Sequence, residues 1–264
     1  MRNWIRIIFM VAAFFWWAVL AYAEAWTVNE AAPTALVPIL LYHRFGLAAI
    51  DGMTVTTGVF ESHLMYLKEH GYRVIPLREL VDYLLSEGPP PGHRSVTITV
   101  DDGHRSVYSS MFPLVRKYHI PVALFLYPSA ISNASYALTW DQVREMKETG
   151  LFDIQSHTFW HPDFRNERKR LTPKEYEKFV EMQLKKSKEK LEKEIDAKVT
   201  MLAWPFGIYD AELIKKASEA GYVAAFGMER GHVSLSSNRM ALPRYLMANR
   251  EKRDSSLEVI LRRN

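Results

Sequence analysis

Residues 96–104 read VTITVDDGH, a run of β-branched residues that ends in two adjacent carboxylates, a glycine and a histidine. β-Branched residues favour strands, and an unbroken apolar run is typical of a strand that is buried on both faces. The pattern predicts a strand over 95–100 with Asp101 and Asp102 at its carboxyl end. An Asp-Gly pair is also a common turn sequence. The flanking chain distinguishes a solvated turn from a pair of acids that belongs to a site.

On both sides of this strand, short apolar runs alternate with helical patterns. Such alternation predicts an α/β fold with a mainly parallel sheet and helices outside it. Seven or eight units in about 230 residues fit a closed or nearly closed barrel better than an open sheet. Capping boxes at Thr139 and Thr172 predict two helix starts, and Pro113 is expected to disturb a helix over 107–119. Further strands are predicted at 37–45, 72–77, 121–128, 152–157, 200–207, 222–228 and 241–247.

The first 23 residues differ in character from the rest of the chain. Arg2 and Arg6 form a basic start, residues 7–20 are apolar, and Ala21-Tyr22-Ala23 supplies a cleavage pattern of small residues. This order predicts a signal peptide over 1–23. The alternative is an uncleaved anchor, since the apolar run approaches the roughly 20 residues that span a bilayer. Both readings predict export to the periplasm or beyond, and the second adds membrane attachment. Residues 24–264 are expected to form one catalytic domain.

Composition excludes several classes of site. The chain of 264 residues has no cysteine, which excludes disulfides, thiolate nucleophiles and cysteine-bound zinc. Its formal charge of +4 includes Arg2 and Arg6, so the chain after residue 23 carries 32 basic against 30 acidic residues, or +2. This charge is too small to indicate a nucleic-acid partner. Any metal ion must be held by histidine, aspartate or glutamate.

Polar side chains cluster after the predicted strands. His43 follows the first strand, Asp101 and Asp102 follow the third, and His157 ends the strand at 152–157. Catalytic groups of barrel enzymes occupy this position. His157 and His161 are four residues apart, which on a helical turn places both imidazoles on one side. With Asp102 they make a set of two histidines and one carboxylate, which suits zinc or a similar divalent ion. Asp101 would stay off the metal and accept a proton from the attacking water.

The segments VTITVDDG (96–103), SHTFWHP (156–162) and AWPFG (203–207) resemble, in order, three motifs of the polysaccharide deacetylases. These motifs are TFDDG, H-[ST]-x-x-H and R-x-P-[YF]-G of the NodB homology domain, carbohydrate esterase family four. The resemblance covers roughly residues 37 to 250. It implies a distorted (β/α) barrel of about seven strands and metal-dependent N-deacetylation of a polysaccharide that contains N-acetylglucosamine. It implies zinc as the first choice of metal, with cobalt, nickel or iron as alternatives.

The same resemblance assigns roles by position. Asp101 matches the catalytic base, and the backbone N–H of Phe206 matches a donor to the oxyanion. The matches to the metal ligands are Asp102, His157 and His161.

Two departures from the family pattern concern the base and the acid. Ala203 stands where the third motif has arginine, and Arg244 is the candidate replacement. The usual C-terminal Leu-x-Leu-His motif that supplies the acid is missing. Instead, ILLYHRFG (39–46) resembles the N-terminal motif of the permuted branch that deacetylates poly-β-1,6-N-acetylglucosamine. In that branch the first strand supplies the acid, which makes His43 the candidate and His232 its competitor.

Three other functions remain open at this point. The same chemistry could act on peptidoglycan or chitooligosaccharides, because loops rather than motifs select the polymer. A degenerate site would leave a non-catalytic polysaccharide-binding protein. A metal-dependent hydrolase of another bond, such as a small cyclic amide, is the third. Phe159, Trp160 and Trp204 could stack on sugar rings, or they could be packing residues.

Overall fold

The computed structural model describes residues 35–249 and 257–262, so the predicted signal peptide at 1–23 lies outside the described residues. The strands are β1 (Val37–Tyr42), β2 (Arg44–Gly46), β3 (Thr54–Thr56), β4 (Arg73–Val74), β5 (Ser95–Val100), β6 (Val122–Leu126), β7 (Phe152–Ser156), β8 (Met201–Ala203), β9 (Ala224–Phe226), β10 (His232–Val233) and β11 (Tyr245–Leu246). The helices are α1 (Thr57–Glu69), α2 (Leu77–Leu84), α3 (Phe112–Tyr118), α4 (Trp140–Glu148), α5 (Phe164–Arg170), α6 (Pro173–Ile195), α7 (Ala211–Glu219) and α8 (Leu257–Leu261).

Six strands form a parallel sheet in the order β1, β5, β6, β7, β8 and β9, with β10 antiparallel on the outer edge of β1. The segment 242–247 bridges the two edge strands β9 and β1 of this parallel sheet. Leu242 forms backbone hydrogen bonds with Ala225 of β9 and with Gly227 just after it, and β11 pairs in parallel with β1. The predicted α/β architecture, a distorted barrel with about seven strands, is confirmed.

Strands β1 and β5 are buried at all six of their residues, and β6 is buried at all five. Helices cover the outer face, which explains why these strands read as continuous apolar runs rather than as alternating ones. β5 lies between β1 and β6, so its carboxyl end opens at the barrel mouth beside those of its two neighbours. The DDG segment therefore begins at that mouth.

The helix signals in the sequence are confirmed. Thr139 and Thr172 both form capping boxes with the side chain three residues on. Pro113 lies in the first turn of α3, directly after a π-helical turn at Val107–Met111, as expected from a proline that cannot donate a backbone hydrogen bond. Helix α5 was not predicted, although Asp163 caps its start by accepting two backbone N–H groups.

Several predicted strands are too long. The stretch 72–77 contains only the two residues of β4, because Pro76 already begins α2. The stretch 200–207 pairs only as far as Ala203, and a short 3₁₀ turn at Pro205–Gly207 follows. Proline lacks the N–H that a central strand needs. Among the described residues, no helix is long and apolar enough to cross a membrane.

Candidate metal centre and active site

The carboxyl ends of β1, β5, β7 and β8 open at one mouth of the barrel, since these strands run parallel in one sheet. Parallel strands bring their carboxyl ends to the same edge, so positions far apart in sequence become neighbours. The residues that follow these strands are His43 after β1, Asp101 and Asp102 after β5, His157 after β7, and Phe206 shortly after β8. Side chains that the sequence identified separately thus share one mouth.

Asp101 and Asp102 both face His157, with carboxylate oxygens 3.8 and 3.5 Å from its Nε2. A strand would point them to opposite faces. They share one site because Asp102 and Gly103 adopt left-handed φ angles of 74° and 72°. The turn is therefore shared between Asp102 and Gly103. Glycine is also needed for space, because a Cβ at residue 103 would lie 2.4 Å from Leu126 Cδ2.

Asp102, His157 and His161 converge. Asp102 Oδ1 lies 3.5 Å from His157 Nε2 and 3.6 Å from His161 Nε2, and one ligand atom of each residue lies within 4.8 Å of the others. Around a tetrahedral zinc ion with bonds of about 2.0–2.1 Å, neighbouring ligand atoms are about 3.3–3.4 Å apart. The donor atoms and their spacing therefore fit a divalent metal ion with only small shifts.

The expectation that His157 and His161 lie on a helical turn is wrong. Residues 157–163 form a loop in which Thr158 and His161 have φ angles of 65° and 59°. Thr158 Oγ1 accepts the His161 N–H at 3.2 Å and closes the turn. The ring centroids are 4.6 Å apart. Two left-handed residues, not helical periodicity, bring the imidazoles together.

A backbone contact and burial set the ring orientation and the pKa of the two histidines. His157 Nδ1 donates to the carbonyl oxygen of Ala203 at 2.8 Å, which orients the ring so that Nε2 faces Asp102 and His161. Burial would lower the pKa of His157, but the carboxylates of Asp101 and Asp102 raise it overall. Burial and the neighbouring His157 lower the pKa of His161 to about 4, so its imidazole is neutral at pH 7 and able to bind a cation.

Two buried polar side chains of α6 hold the loop that carries the histidines. Gln183 Oε1 accepts the backbone N–H groups of Phe159 and Trp160 at 3.1 and 3.0 Å. Ser187 Oγ donates to the Thr158 carbonyl at 2.9 Å. Gln183 and Ser187 are fully buried. The sequence analysis missed them, although two polar residues at i and i+4 on the inward face of a helix were an available signal.

We expect Gln183→Leu to loosen this loop. Two partly buried N–H groups would lose their acceptor, which should reduce the free energy of unfolding by about 1–3 kcal/mol. Residues that orient metal ligands commonly affect metal affinity by about 10–100-fold, so zinc affinity should fall on that scale. Urea denaturation and competition with a chelating dye measure the two effects.

Gln183→Glu keeps an acceptor oxygen and should retain more affinity, and Glu189→Leu on the exposed side of α6 is the control. Unchanged zinc affinity in Gln183→Leu would contradict this role.

Arg244 forms a fully buried bidentate pair with Asp101. Its two terminal nitrogens lie 2.8 and 2.7 Å from the two carboxylate oxygens, and its Nε donates to the Gly227 carbonyl at 2.9 Å. Burial alone would raise the pKa of Asp101, but the charges of Arg244 and His157 hold it below its usual value. Arg244, the candidate replacement for the arginine missing at Ala203, thus contacts the predicted base directly. It arrives from the segment after β9 rather than from β8.

His43 is buried at the mouth and interacts electrostatically with Asp101 and Asp102. Its Nδ1 has no hydrogen-bond partner in the part of the chain that the structure describes. Burial lowers the pKa of His43, while the two carboxylates oppose that shift. His232 instead pairs with Pro38 at the start of β1, five residues before His43, or about 17 Å along a strand. The structure brings His43 to the site and leaves His232 at the other end of the barrel.

Aromatic residues near the site divide into core and rim. Trp204 is fully buried and donates to the Met240 carbonyl, so it is a packing residue. Trp160 is exposed and packs on Phe179. Phe206 has a left-handed φ of 58°, is 57% exposed, and places its ring centroid 4.5 Å from that of His161. Its left-handed backbone is a feature that the motif alone did not show.

Tyr127 is a further neighbour that the sequence analysis missed. Its ring lies 5.4 Å from that of His161, and its hydroxyl lies 3.0 Å from that of Tyr136. Burial, the hydrogen bond to Tyr136 and the charge of Asp102 raise the pKa of Tyr127. A neutral phenol therefore borders the three metal-binding candidates.

Known proteins match this chain in sequence and in fold. Residues 88–225 match the family described as polysaccharide deacetylase. The poly-beta-1,6-N-acetyl-D-glucosamine N-deacetylase of Staphylococcus epidermidis is 30% identical over 208 residues, covering 77% of this chain and 71% of the relative. The deacetylase PplD of Streptococcus pyogenes shares the fold with a TM-score of 0.75 at 24% identity, over 87% of this chain and 98% of its own. IcaB from Ammonifex degensii has a TM-score of 0.71 at 24% identity, over 81% and 92%.

The family match spans more than half of the chain and includes β5, the DDG turn and the loop with both histidines. The relative from Staphylococcus epidermidis extends the likeness over most of both chains. The predicted family is therefore confirmed. The chain belongs to the polysaccharide deacetylase family, hydrolases that remove N-acetyl groups from polysaccharides.

Proposed function

We propose that the chain is a metal-dependent N-deacetylase of an exopolysaccharide built from β-1,6-linked N-acetylglucosamine. The observation that carries this proposal is the arrangement of two adjacent acids, one beside two imidazoles and the other paired with a buried arginine. The name of the relative from Staphylococcus epidermidis supports the polymer. The position of His43 after β1 supports the permuted branch.

Asp102, His157 and His161 would hold the metal ion, with zinc as the first choice. When bound, the ion supplies Lewis-acid chemistry and lowers the pKa of water from 15.7 towards about 7. The three side chains offer two imidazole nitrogens and one carboxylate oxygen, a set that leaves further coordination positions open. The hydrogen bond from His157 to Ala203 keeps its ring oriented for this role.

Asp101 would act as the general base. Its two oxygens are fixed by Arg244, and its low pKa keeps it ionised at neutral pH. It would take the proton from water as that water attacks the acetamide carbonyl. General bases of this kind contribute about 10²–10⁴-fold to rate. Arg244 does not touch the substrate in this scheme, so its part is to position Asp101.

Phe206 and His43 would complete the reaction. The backbone N–H of Phe206 would donate to the developing oxyanion, and one such donor is commonly worth about 3 kcal/mol. His43 would give a proton to the departing amine, because an amide nitrogen leaves poorly unless it is protonated. Burial lowers the pKa of His43, and the charges of Asp101 and Asp102 only partly offset that shift towards the protonated imidazole that this step requires. The products would be acetate and a glucosamine residue.

We also propose that residues 1–23 direct export and that residues 24–264 form the mature catalytic domain. The basic start, apolar run and Ala21-Tyr22-Ala23 pattern support a periplasmic or secreted enzyme. An uncleaved segment would instead hold the enzyme at the membrane. The mass of the exported chain distinguishes the two forms, and retention of the whole chain in the cytoplasm would contradict export.

Acetate release from a panel of polymers tests the proposed function. We expect release from β-1,6-linked N-acetylglucosamine oligomers, with much slower release from β-1,4-linked chitooligosaccharides and from peptidoglycan. A chelator should abolish release, and added zinc should restore it. Faster release from peptidoglycan or chitooligosaccharides would replace the proposed polymer. Bound metal with tight polymer binding but no acetate release would identify a non-catalytic binding protein.

A further inference from the structure

The imidazole of His43 lacks a hydrogen bond at one of its ring nitrogens. A hydrogen bond on the second nitrogen commonly fixes the ring of a catalytic histidine. Nδ1 of His43 is buried and forms no hydrogen bond with any group in residues 35–249 and 257–262. Nδ1 of His157, by contrast, is held by the Ala203 carbonyl. The direction of the His43 ring is therefore set by packing and by the backbone that carries it.

Tyr42, the residue before His43, is fixed on the outer side of the barrel. Its ring packs on Phe60 with the centroids 5.2 Å apart, and its hydroxyl lies 2.9 Å from Nδ1 of His63 on α1. The Tyr42 carbonyl accepts the backbone N–H of Asp101 at 3.0 Å. Neighbouring residues of an extended chain point to opposite sides. Holding Tyr42 outward therefore directs His43 inward, towards the charge of Asp101.

Ser106 fixes the chain on the other side of His43. Its Oγ accepts the backbone N–H of Phe45 at 3.0 Å and lies 2.8 Å from Nδ1 of His104. That nitrogen also accepts the Ser106 N–H at 3.2 Å, so it acts as an acceptor and the Ser106 hydroxyl donates to it. Ser106 is buried. Its side chain thus joins the segment that carries His43 to the segment that follows Asp101.

We propose that Ser106 and the Tyr42–His63 pair are positioning residues for His43. The proposal rests on the proposed function, in which His43 protonates the departing amine. The two contacts bracket His43, one at the residue before it and one two residues after it. Together they set the distance between the proposed proton donor and Asp101, the proposed proton acceptor. A displacement of about 1 Å can cost about 10²-fold in rate, so buried contacts that touch no substrate can control this reaction.

Two substrates with different leaving groups separate this role from a general loosening of the site. A sugar acetamide needs a proton on its departing amine, because an amine anion leaves poorly. Para-nitrophenyl acetate releases a phenolate, which leaves without a proton. Both substrates would use the same metal ion, base and oxyanion donor. A variant that displaces only His43 should therefore slow cleavage of the acetamide and leave cleavage of the ester unchanged.

The values of kcat and KM are compared for wild type, Ser106→Ala and Tyr42→Phe on a β-1,6-linked N-acetylglucosamine oligomer and on the ester. We expect kcat on the oligomer to fall by about tenfold or more in both variants, with little change in KM, in zinc affinity or in the ester rate. Ser106→Thr keeps the hydroxyl and should restore most of kcat. His43→Ala removes the proposed acid and sets the largest loss, about 10²–10⁴-fold. The two contacts are separate, so either variant tests the role if the other folds poorly.

Thr149→Ala is the matched control, since it removes a hydroxyl that accepts the backbone N–H of Leu151 at the amino end of β7, away from the mouth. Its kcat should match that of wild type on both substrates. Wild-type kcat in Ser106→Ala and Tyr42→Phe, or equal losses on the oligomer and the ester, would overturn the positioning role alone. Wild-type activity of His43→Ala on the oligomer would show that another group is the acid. A wild-type enzyme that releases acetate from no polymer would instead overturn the proposed function, and the inference with it.

Discussion

Replacing Asp101 with asparagine is expected to reduce acetate release by about 10²–10⁴-fold while added zinc remains bound, because the variant loses the proposed general base and keeps the proposed metal ligands. Asp102, His157 and His161, which lie together in the structure, are not substituted in this variant. His157→Ala should instead lose both the metal and the activity. Metal content by mass spectrometry and acetate release from a β-1,6-linked oligomer measure the two outcomes together.

Asp153→Asn is the matched control for the asparagine substitution. Asp153 lies in β7, bonds to Gln155 at its carboxylate, and is remote from the barrel mouth. It should retain activity. An Asp101→Asn enzyme that releases acetate at the wild-type rate would show that another group is the base. Loss of zinc in Asp101→Asn would show that Asp101 belongs to the ligand set.

Replacing Arg244 with methionine is expected to cost about 3–5 kcal/mol of unfolding free energy at pH 7, because it leaves a buried carboxylate unpaired. Asp101 is 2% exposed, and Arg244 donates one hydrogen bond to each of its two carboxylate oxygens. Urea denaturation measures the loss. Activity should fall as well, since Asp101 would lose its fixed orientation and its low pKa. Arg244→Lys keeps the charge but not the bidentate contact, so its stability and activity should lie between those of wild type and Arg244→Met.

The pH dependence of this loss has a defined sign. The pKa of Asp101 is lowered in the folded protein, so the pair stabilises the fold above the unfolded pKa of about 3.9 and that contribution disappears as the pH falls. The difference between wild type and Arg244→Met should therefore shrink in acid. The double variant Asp101→Asn/Arg244→Met should recover part of the stability, because no buried charge remains. A difference that is constant from pH 7 to pH 3 would contradict the assignment.

The alternation of apolar runs and helical patterns predicted the parallel barrel correctly, because burial on both faces leaves a local signature in β1, β5 and β6. Capping residues at Thr139 and Thr172 were equally local and equally reliable. Strand lengths were less accurate. Pairing in β8 ends where a proline and a left-handed Phe206 follow, and such limits depend on the neighbouring strands.

The candidate site divides in the same way. Asp101, Asp102, His157 and His161 could be identified because each lies at or beside a strand end within a short motif. The helical turn expected at the two histidines was wrong, since the loop owes its shape to left-handed residues and to Gln183 and Ser187 of α6. These contacts join residues 24 and 29 positions apart, and local spacing along the sequence carries no record of them.

The sequence by itself determined the order of strands and helices, the family, and the side chains able to hold a metal ion, because these depend on periodicity and short motifs. Only the tertiary structure decided that Arg244 meets Asp101 and that His43 rather than His232 reaches the mouth. The reason is physical: each of these contacts joins residues far apart in the chain, and barrel closure alone fixes the distances between them.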